Sequence, residues 1–170
     1  MTAPIATITL LADRPDLAAG WAELHWREWG IGGNQPGREE LSWGVNDAAQ
    51  AMQRTTVPVA FLGLGPDDAV LGGVGLHQFD LAERRDRSPW IVGVAVRSDR
   101  RGEGIGQALL AALEAWAVSV GIKRLWAATE TAGRAVAFYQ KCGYERVEEF
   151  PAQRGGIVTV LTRRLSPVRP

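Results

Sequence analysis

The chain has 170 residues, 46% of them hydrophobic and 22% charged, which suits one globular domain built on one core. Its 19 basic residues balance 19 acidic ones, so no global field draws nucleic acid, and a single cysteine excludes an internal disulfide and a zinc-ligand cluster. No basic leader precedes an apolar stretch, and no run of about 18 apolar residues occurs, so a cytoplasmic protein with no membrane partner is expected. The expected domain spans 1–165, with 166–170 as a frayed tail.

Residues Ala6 to Ala12 read as a first strand, ended by the turn Asp13-Arg14-Pro15-Asp16. From Pro15 to Trp29 the pattern is helical, with Leu17, Trp21, Leu24 and Glu28 at helix spacing. Gly30 to Pro36 reads as a flexible loop, and a second, short helix lies within Leu41 to Met52. Val57 to Gly63 and Val70 to Phe79 are strands joined by the hairpin signal Gly65-Pro66-Asp67-Asp68. The charged stretch Asp80 to Arg87 leads into a fourth strand, Trp90 to Val96. A glycine-rich turn follows, and then a strong helix with Ile105, Leu109, Leu113, Trp116 and Val120 on one stripe, stopped by Gly121. Trp21 and Trp116 are expected in the core. Lys123 to Thr129 is a fifth strand, Thr131 to Lys141 a short helix ended by Gly143, and Tyr144 to Phe150 and Ile157 to Leu165 are two more strands. Strands alternate with helices at the centre and pair as hairpins at both ends. The expected fold is therefore α/β (α+β): a mixed, mostly antiparallel twisted sheet of about seven strands, flanked by about four helices.

The turn Arg97 to Gly106 carries the chemistry. A glycine-rich turn between strand and helix aims backbone N–H groups at a ligand from the positive end of the helix dipole, so it suits a pyrophosphate. Gly102, Gly104 and Gly106 remove side chains that would block phosphate oxygens. The dinucleotide pattern fails because Leu109 stands where a third glycine is needed, and no Gly-Lys-Ser/Thr closes a P-loop. Arg101-x-x-Gly104-x-Gly106 directly after Val94-Ala95-Val96 resembles the coenzyme A motif of the GNAT acetyltransferase superfamily. Ala135 to Tyr144, with Phe138-Tyr139 and Gly143-Tyr144, looks like that family's closing helix.

The resemblance implies acetyl-CoA as co-substrate and no metal. The strand end Val94-Ala95-Val96 would pair with the pantetheine arm through the backbones of Val94 and Val96. Arg101, Gly102, Glu103, Gly104, Ile105, Gly106 and Gln107 would form the pyrophosphate seat, and Arg97, Arg100 or Lys141 would approach the 3′-phosphate. Tyr139 takes the position of the general acid beside the thioester sulfur. The family's usual strand glutamates are missing here, at Trp90, Val92 and Ala127, and its usual asparagine is Ala132. Thr129, Glu130 or Thr131 stands in for that asparagine. His77, followed by Asp80, is the candidate base, in competition with loss of the amine proton to water.

The acceptor is expected between the first two helices and the late strands. Glu28, Glu39 and Glu40 would attract a cationic amine, and Trp26, Trp29 and Trp43 would form an aromatic wall, with Glu28 and Trp29 the leading pair. Glu28-Trp29-Gly30, taken with Ser88-Pro89-Trp90, resembles a bacterial branch of the superfamily whose substrates are mostly unassigned. Cys142 reads as an inert packing residue. The expected reaction is direct acetyl transfer from acetyl-CoA to a primary amine of a small molecule. Acetylation of a protein N-terminus or lysine, and a non-catalytic coenzyme A sensor, are the alternatives. A homodimer through Tyr144 to Phe150 is compatible with the pattern.

Overall fold

The computed structural model describes residues 5–29, 41–153 and 155–166. Strands β1 (Thr7–Leu10), β2 (Val59–Leu64), β3 (Val70–His77), β4 (Trp90–Val96), β5 (Arg124–Glu130), β6 (Glu145–Pro151) and β7 (Ile157–Arg164) form one sheet in the order β1-β2-β3-β4-β5-β7-β6. Every neighbouring pair is antiparallel except β4 and β5, which run parallel. The helices are α1 (Ala18–Trp29), α2 (Leu41–Gln50), α3 (Ile105–Ser119) and α4 (Ala135–Lys141). The expected loop at Gly30–Pro36, the carboxylates of Glu39 and Glu40, the Trp43 side chain and most of the tail lie outside what is described.

Alternation along the strands gives the sheet two apolar faces. Phe61 and Ile91 turn towards α3 and α4, where Leu109, Leu113, Val136 and Tyr139 cover them. Ala60, Leu62 and Ala95 turn the other way, under Trp21 of α1 and under Ala48 and Ala51. Beyond α1 the same face is closed differently. Leu81 in the segment between β3 and β4 seals a cluster of Trp90, Val158 and Val160, edged by Val92, Trp126 and Phe150. That segment is strapped to β6, because Arg84 (2.6 Å) and Arg87 both donate to Glu148. The two guanidiniums, Arg84 foremost, hold the Glu148 carboxyl below its usual range.

The elements begin and end where local chemistry dictates. Gly121 takes a φ of +84°, and Ile122 N–H donates back to Ala117 O at 2.8 Å, so the glycine ends α3 as expected. Gly143 ends α4 the same way, with Tyr144 N–H on Tyr139 O at 3.0 Å. Four expectations shift. The first strand stops at Leu10, and short 3₁₀ turns at Leu11–Asp13 and Pro15–Leu17 delay α1 to Ala18. Val57 and Phe79 fall outside their strands. Helix α4 starts at Ala135, not Thr131, because Gly133 N–H first closes a turn onto Glu130 O. Trp116 is only half-buried: α3 sends Leu110 and Ala117 inward, while the Trp116 indole N–H donates to Arg54 O at 2.7 Å at the surface.

Candidate active site

Strand β4 is paired along only part of its inner edge. Its parallel partnership with β5 is limited to Trp90 with Trp126 and Ile91 with Ala127, after which the two strands diverge. On the other edge β4 stays bonded to β3 through Val96, and Arg97 N–H donates to Leu71 O at 2.8 Å. Successive residues of a strand aim their N–H and C=O groups to opposite edges, so Val96 and Val94 present theirs to the opening. This is an unpaired strand edge inside a sheet, where an extended chain with amide groups can add as a strand.

The opening is sharpened by a bulge. Gly75 pairs with Val92 and Gly73 with Ala95, so Val74 stands opposite both Gly93 and Val94. Gly93 has a φ of +61°, and a Cβ there would sit 2.5 Å from His25 Nε2. Glycine is therefore required at this point by both backbone and space.

At the end of β4, Gly102 and Gly104 both take a φ of +83°. Nothing lies within 4 Å of the Cβ position at Gly102, and only Gln107 Oε1, at 3.9 Å, approaches that of Gly104. Gly104 immediately precedes α3, and the first helical bond is Ala108 N–H to Gly104 O at 3.0 Å. The N–H groups of Ile105, Gly106 and Gln107 thus precede the helical ladder and face outward for an anion. Gly106 has a different reason to be small. A Cβ there would lie 3.2 Å from the Phe138 ring of α4, so this glycine joins two helices while its N–H still belongs to the seat.

The charges around this turn are already paired. Arg97 holds Asp99 at 2.6 Å, and Arg100 holds Glu103 at 2.8 Å. Each guanidinium keeps its carboxyl below the usual range, which cancels negative charge beside the seat. Lys141 is exposed at the end of α4.

Tyr139 lies in the same core cluster as Ile91 and Ala127, the last paired residues before the opening. It is 5% exposed, and its hydroxyl has no hydrogen-bond partner among the described residues. Burial, with the Asp80 charge adding to it, pushes the hydroxyl well above the ordinary phenol range. A buried hydroxyl without a partner is unfavourable by about 1–3 kcal/mol, so this one suits a ligand atom. An open strand edge, a seat of free N–H groups and a protonated hydroxyl together fit an acyl thioester on a phosphorylated carrier.

Comparison with known proteins decides the family. The profile of the Acetyltransferase (GNAT) family matches residues 18–144. The chain belongs to the GNAT acetyltransferase family. It is an acyltransferase that carries acetyl groups from acetyl-CoA to amines. It is similar to the aminoglycoside N(6′)-acetyltransferase type 1 of Stenotrophomonas maltophilia, 29% identical over 144 residues, which are 82% of this chain and 88% of that one. Its fold is that of a solved aminoglycoside 6′-N-acetyltransferase complexed with coenzyme A, at a TM-score of 0.73 and 17% identity, covering 96% of this chain and 99% of that one. The aminoglycoside 6′-N-acetyltransferase of Enterococcus faecium matches at a TM-score of 0.71 and 18% identity, covering 96% and 99% of the two chains.

The residues expected to hold the acceptor are distributed unevenly in this GNAT enzyme. Trp29 packs against His25 with ring centres 4.5 Å apart and tilted by 51°, and His25 in turn meets Trp21 edge-on at 5.2 Å. Glu28 is bonded to Arg101 at 2.8 Å, so a residue expected to hold the acceptor meets one expected to serve the cofactor. His77 ends β3 opposite Trp90, with its Nε2 3.9 Å from Asp47 Oδ1 of α2. That is three residues, or about 10 Å of strand, from the bulge at Gly93. Thr131 is engaged elsewhere: its hydroxyl lies 2.7 Å from that of Thr159 on β7. Burial pushes the Cys142 thiol up, which disfavours the reactive thiolate. Among the described residues no group of three or more His, Cys, Asp or Glu is placed to hold a metal ion.

His25 is the residue that sequence reasoning missed. Trp21, His25 and Trp29 stand at i, i+4 and i+8, a stripe as regular as the Leu17–Glu28 one. Yet only the glycine opposite it reveals that the stripe ends on β4. Gly93→Ala is expected to destabilise the fold by about 1–3 kcal/mol from the positive φ alone, before the clash with His25. His25→Ala in the same chain should restore the clash component. Denaturant midpoints check this, and an unshifted midpoint for Gly93→Ala would mean the bulge has no need of glycine.

Proposed function

We propose that this enzyme acetylates a primary amine of a small polar molecule of the aminoglycoside class, in the cytoplasm. The observation that carries the acceptor class is the match with the Stenotrophomonas maltophilia relative across 82% of the chain. In this reading the pantetheine arm adds to β4 at Val94 and Val96, and the N–H groups from Gly102 to Gln107 receive the pyrophosphate. The amine nitrogen attacks the thioester carbonyl beside the Gly93 bulge. Its carbon–sulfur bond breaks, and the departing sulfur takes a hydrogen bond and then the proton from Tyr139. The amine proton leaves through water, with His77 and its neighbour Asp47 as the candidate acceptor pair. Glu28 and Trp29, at the end of α1, line the acceptor side.

The test is release of free thiol from acetyl-CoA across a panel of amines. The Trp126 ring of β5 has Arg87 at 4.7 Å and Arg124 at 5.5 Å from its centre, so the panel includes amines that also bear a carboxylate. Aminoglycosides are expected to raise thiol release well above the rate in buffer. Stimulation by peptides instead would shift the reading to protein acetylation, and a flat response across the panel would favour a coenzyme A sensor.

A further inference from the structure

We infer that Arg101 is a latch between the two halves of the site, set by Glu28 and released by coenzyme A. This rests on the proposed reading of the β4 edge as the pantetheine site. Arg101 bridges elements far apart in sequence. Its Nε donates to Val96 O at 3.0 Å, and its Nη2 donates to Glu28 Oε2 at 2.8 Å. Both side chains are about one-third exposed, at 33% and 34%, so solvent and ligand reach them.

Three features make the bridge a device and not only a surface ion pair. The carbonyl that Arg101 covers belongs to Val96, whose polar groups face the opening, so the guanidinium lies where an added strand must run. Arg97 and Arg100 are taken by Asp99 and Glu103, which leaves Arg101 as the arginine of this turn that closes the edge. Glu28 sits in the last turn of α1, where the helix dipole disfavours a carboxylate and a cationic partner is needed. A pyrophosphate at Gly102 offers the guanidinium a doubly charged partner one residue away, and such pairs are the stronger ones. Arg101 then leaves Val96 and Glu28 together. The Glu28 carboxylate, deprived of its cation at the wrong end of a helix, takes the ammonium of the acceptor. Binding of coenzyme A therefore raises the affinity for the amine, with the reciprocal effect required by linkage.

Calorimetry with coenzyme A decides the latch without knowledge of the acceptor. Glu28→Gln should bind coenzyme A about two- to fivefold more tightly than the wild type, the span a partly exposed ion pair supplies. In an Arg101→Met background the same change should leave coenzyme A affinity unaltered. A Glu28→Gln protein that binds coenzyme A equally or more weakly overturns the latch, because a bridge that merely supports the loop would weaken binding when cut. Wild-type protein that fails to bind coenzyme A would sink the cofactor reading instead. With kanamycin as the acceptor probe, coenzyme A should tighten its binding to the wild type and leave its binding to Glu28→Gln unchanged. An equal gain in both overturns the transfer of Glu28 to the amine.

Discussion

Tyr139→Phe is expected to lower turnover by about 100-fold or more, with the KM for acetyl-CoA nearly unchanged. The argument starts from burial. Tyr139 is in the core, its ring 5.5 Å from that of Tyr144, and phenylalanine keeps that packing. The hydroxyl makes no bond to a described residue, so its removal takes nothing from the fold and relieves an unpartnered polar group. Thermal stability should therefore be equal to or above that of the wild type. A variant that is more stable and slower separates a catalytic hydroxyl from a structural one, since a structural hydroxyl would lower both.

The electrostatics refine the role. Burial raises this hydroxyl above the ordinary tyrosine value of about 10, so it remains protonated through the range in which the enzyme is assayed. It is a weak acid but a constant hydrogen-bond donor. Its proton passes to sulfur only once the breaking bond has placed charge there. Turnover of the wild type should accordingly show no loss from this group between roughly pH 7 and 10. Unchanged turnover in Tyr139→Phe would remove the hydroxyl from the mechanism altogether.

What the sequence revealed and what it withheld divide along the range of the interactions. The strand Trp90 to Val96, the stop at Gly121 and the free turn at Gly102 to Gly104 depend on neighbours within a few residues. Periodicity and glycine placement therefore read them directly. The bulge at Gly93 depends on Gly73 and Gly75 of the neighbouring strand, and its partner His25 lies on a helix far upstream. Arg101 and Glu28 are 73 positions apart, so each could be read only for its own half of the site. Trp116 misled because a helix stripe fixes a face but not how deep each residue sits: its ring packs on the edge of the core, while its indole N–H reaches Arg54 O at the surface.

Gly104→Asp is expected to raise the dissociation constant for coenzyme A by about 100- to 1,000-fold while the protein stays folded. Aspartate is among the few residues that tolerate a left-handed backbone, so a φ of +83° is within its reach at modest strain. Its carboxylate would also stand at the positive end of the α3 dipole, beside the N–H groups of the first turn. Those donors include Gly106 and Gln107, which the proposed seat reserves for phosphate. The substitution thus crowds the anion site and adds a charge that repels the pyrophosphate. Two like charges about 4 Å apart near a surface repel by roughly 4 kcal/mol, enough for the stated range. Gly104→Asn separates the parts, since it keeps the size of Asp without the charge and should weaken binding by less than Asp does. Gly104→Ala adds backbone strain alone and should weaken it least. Equal loss in all three would assign the glycine to backbone geometry only, and wild-type affinity in Gly104→Asp would show that the phosphates bind elsewhere.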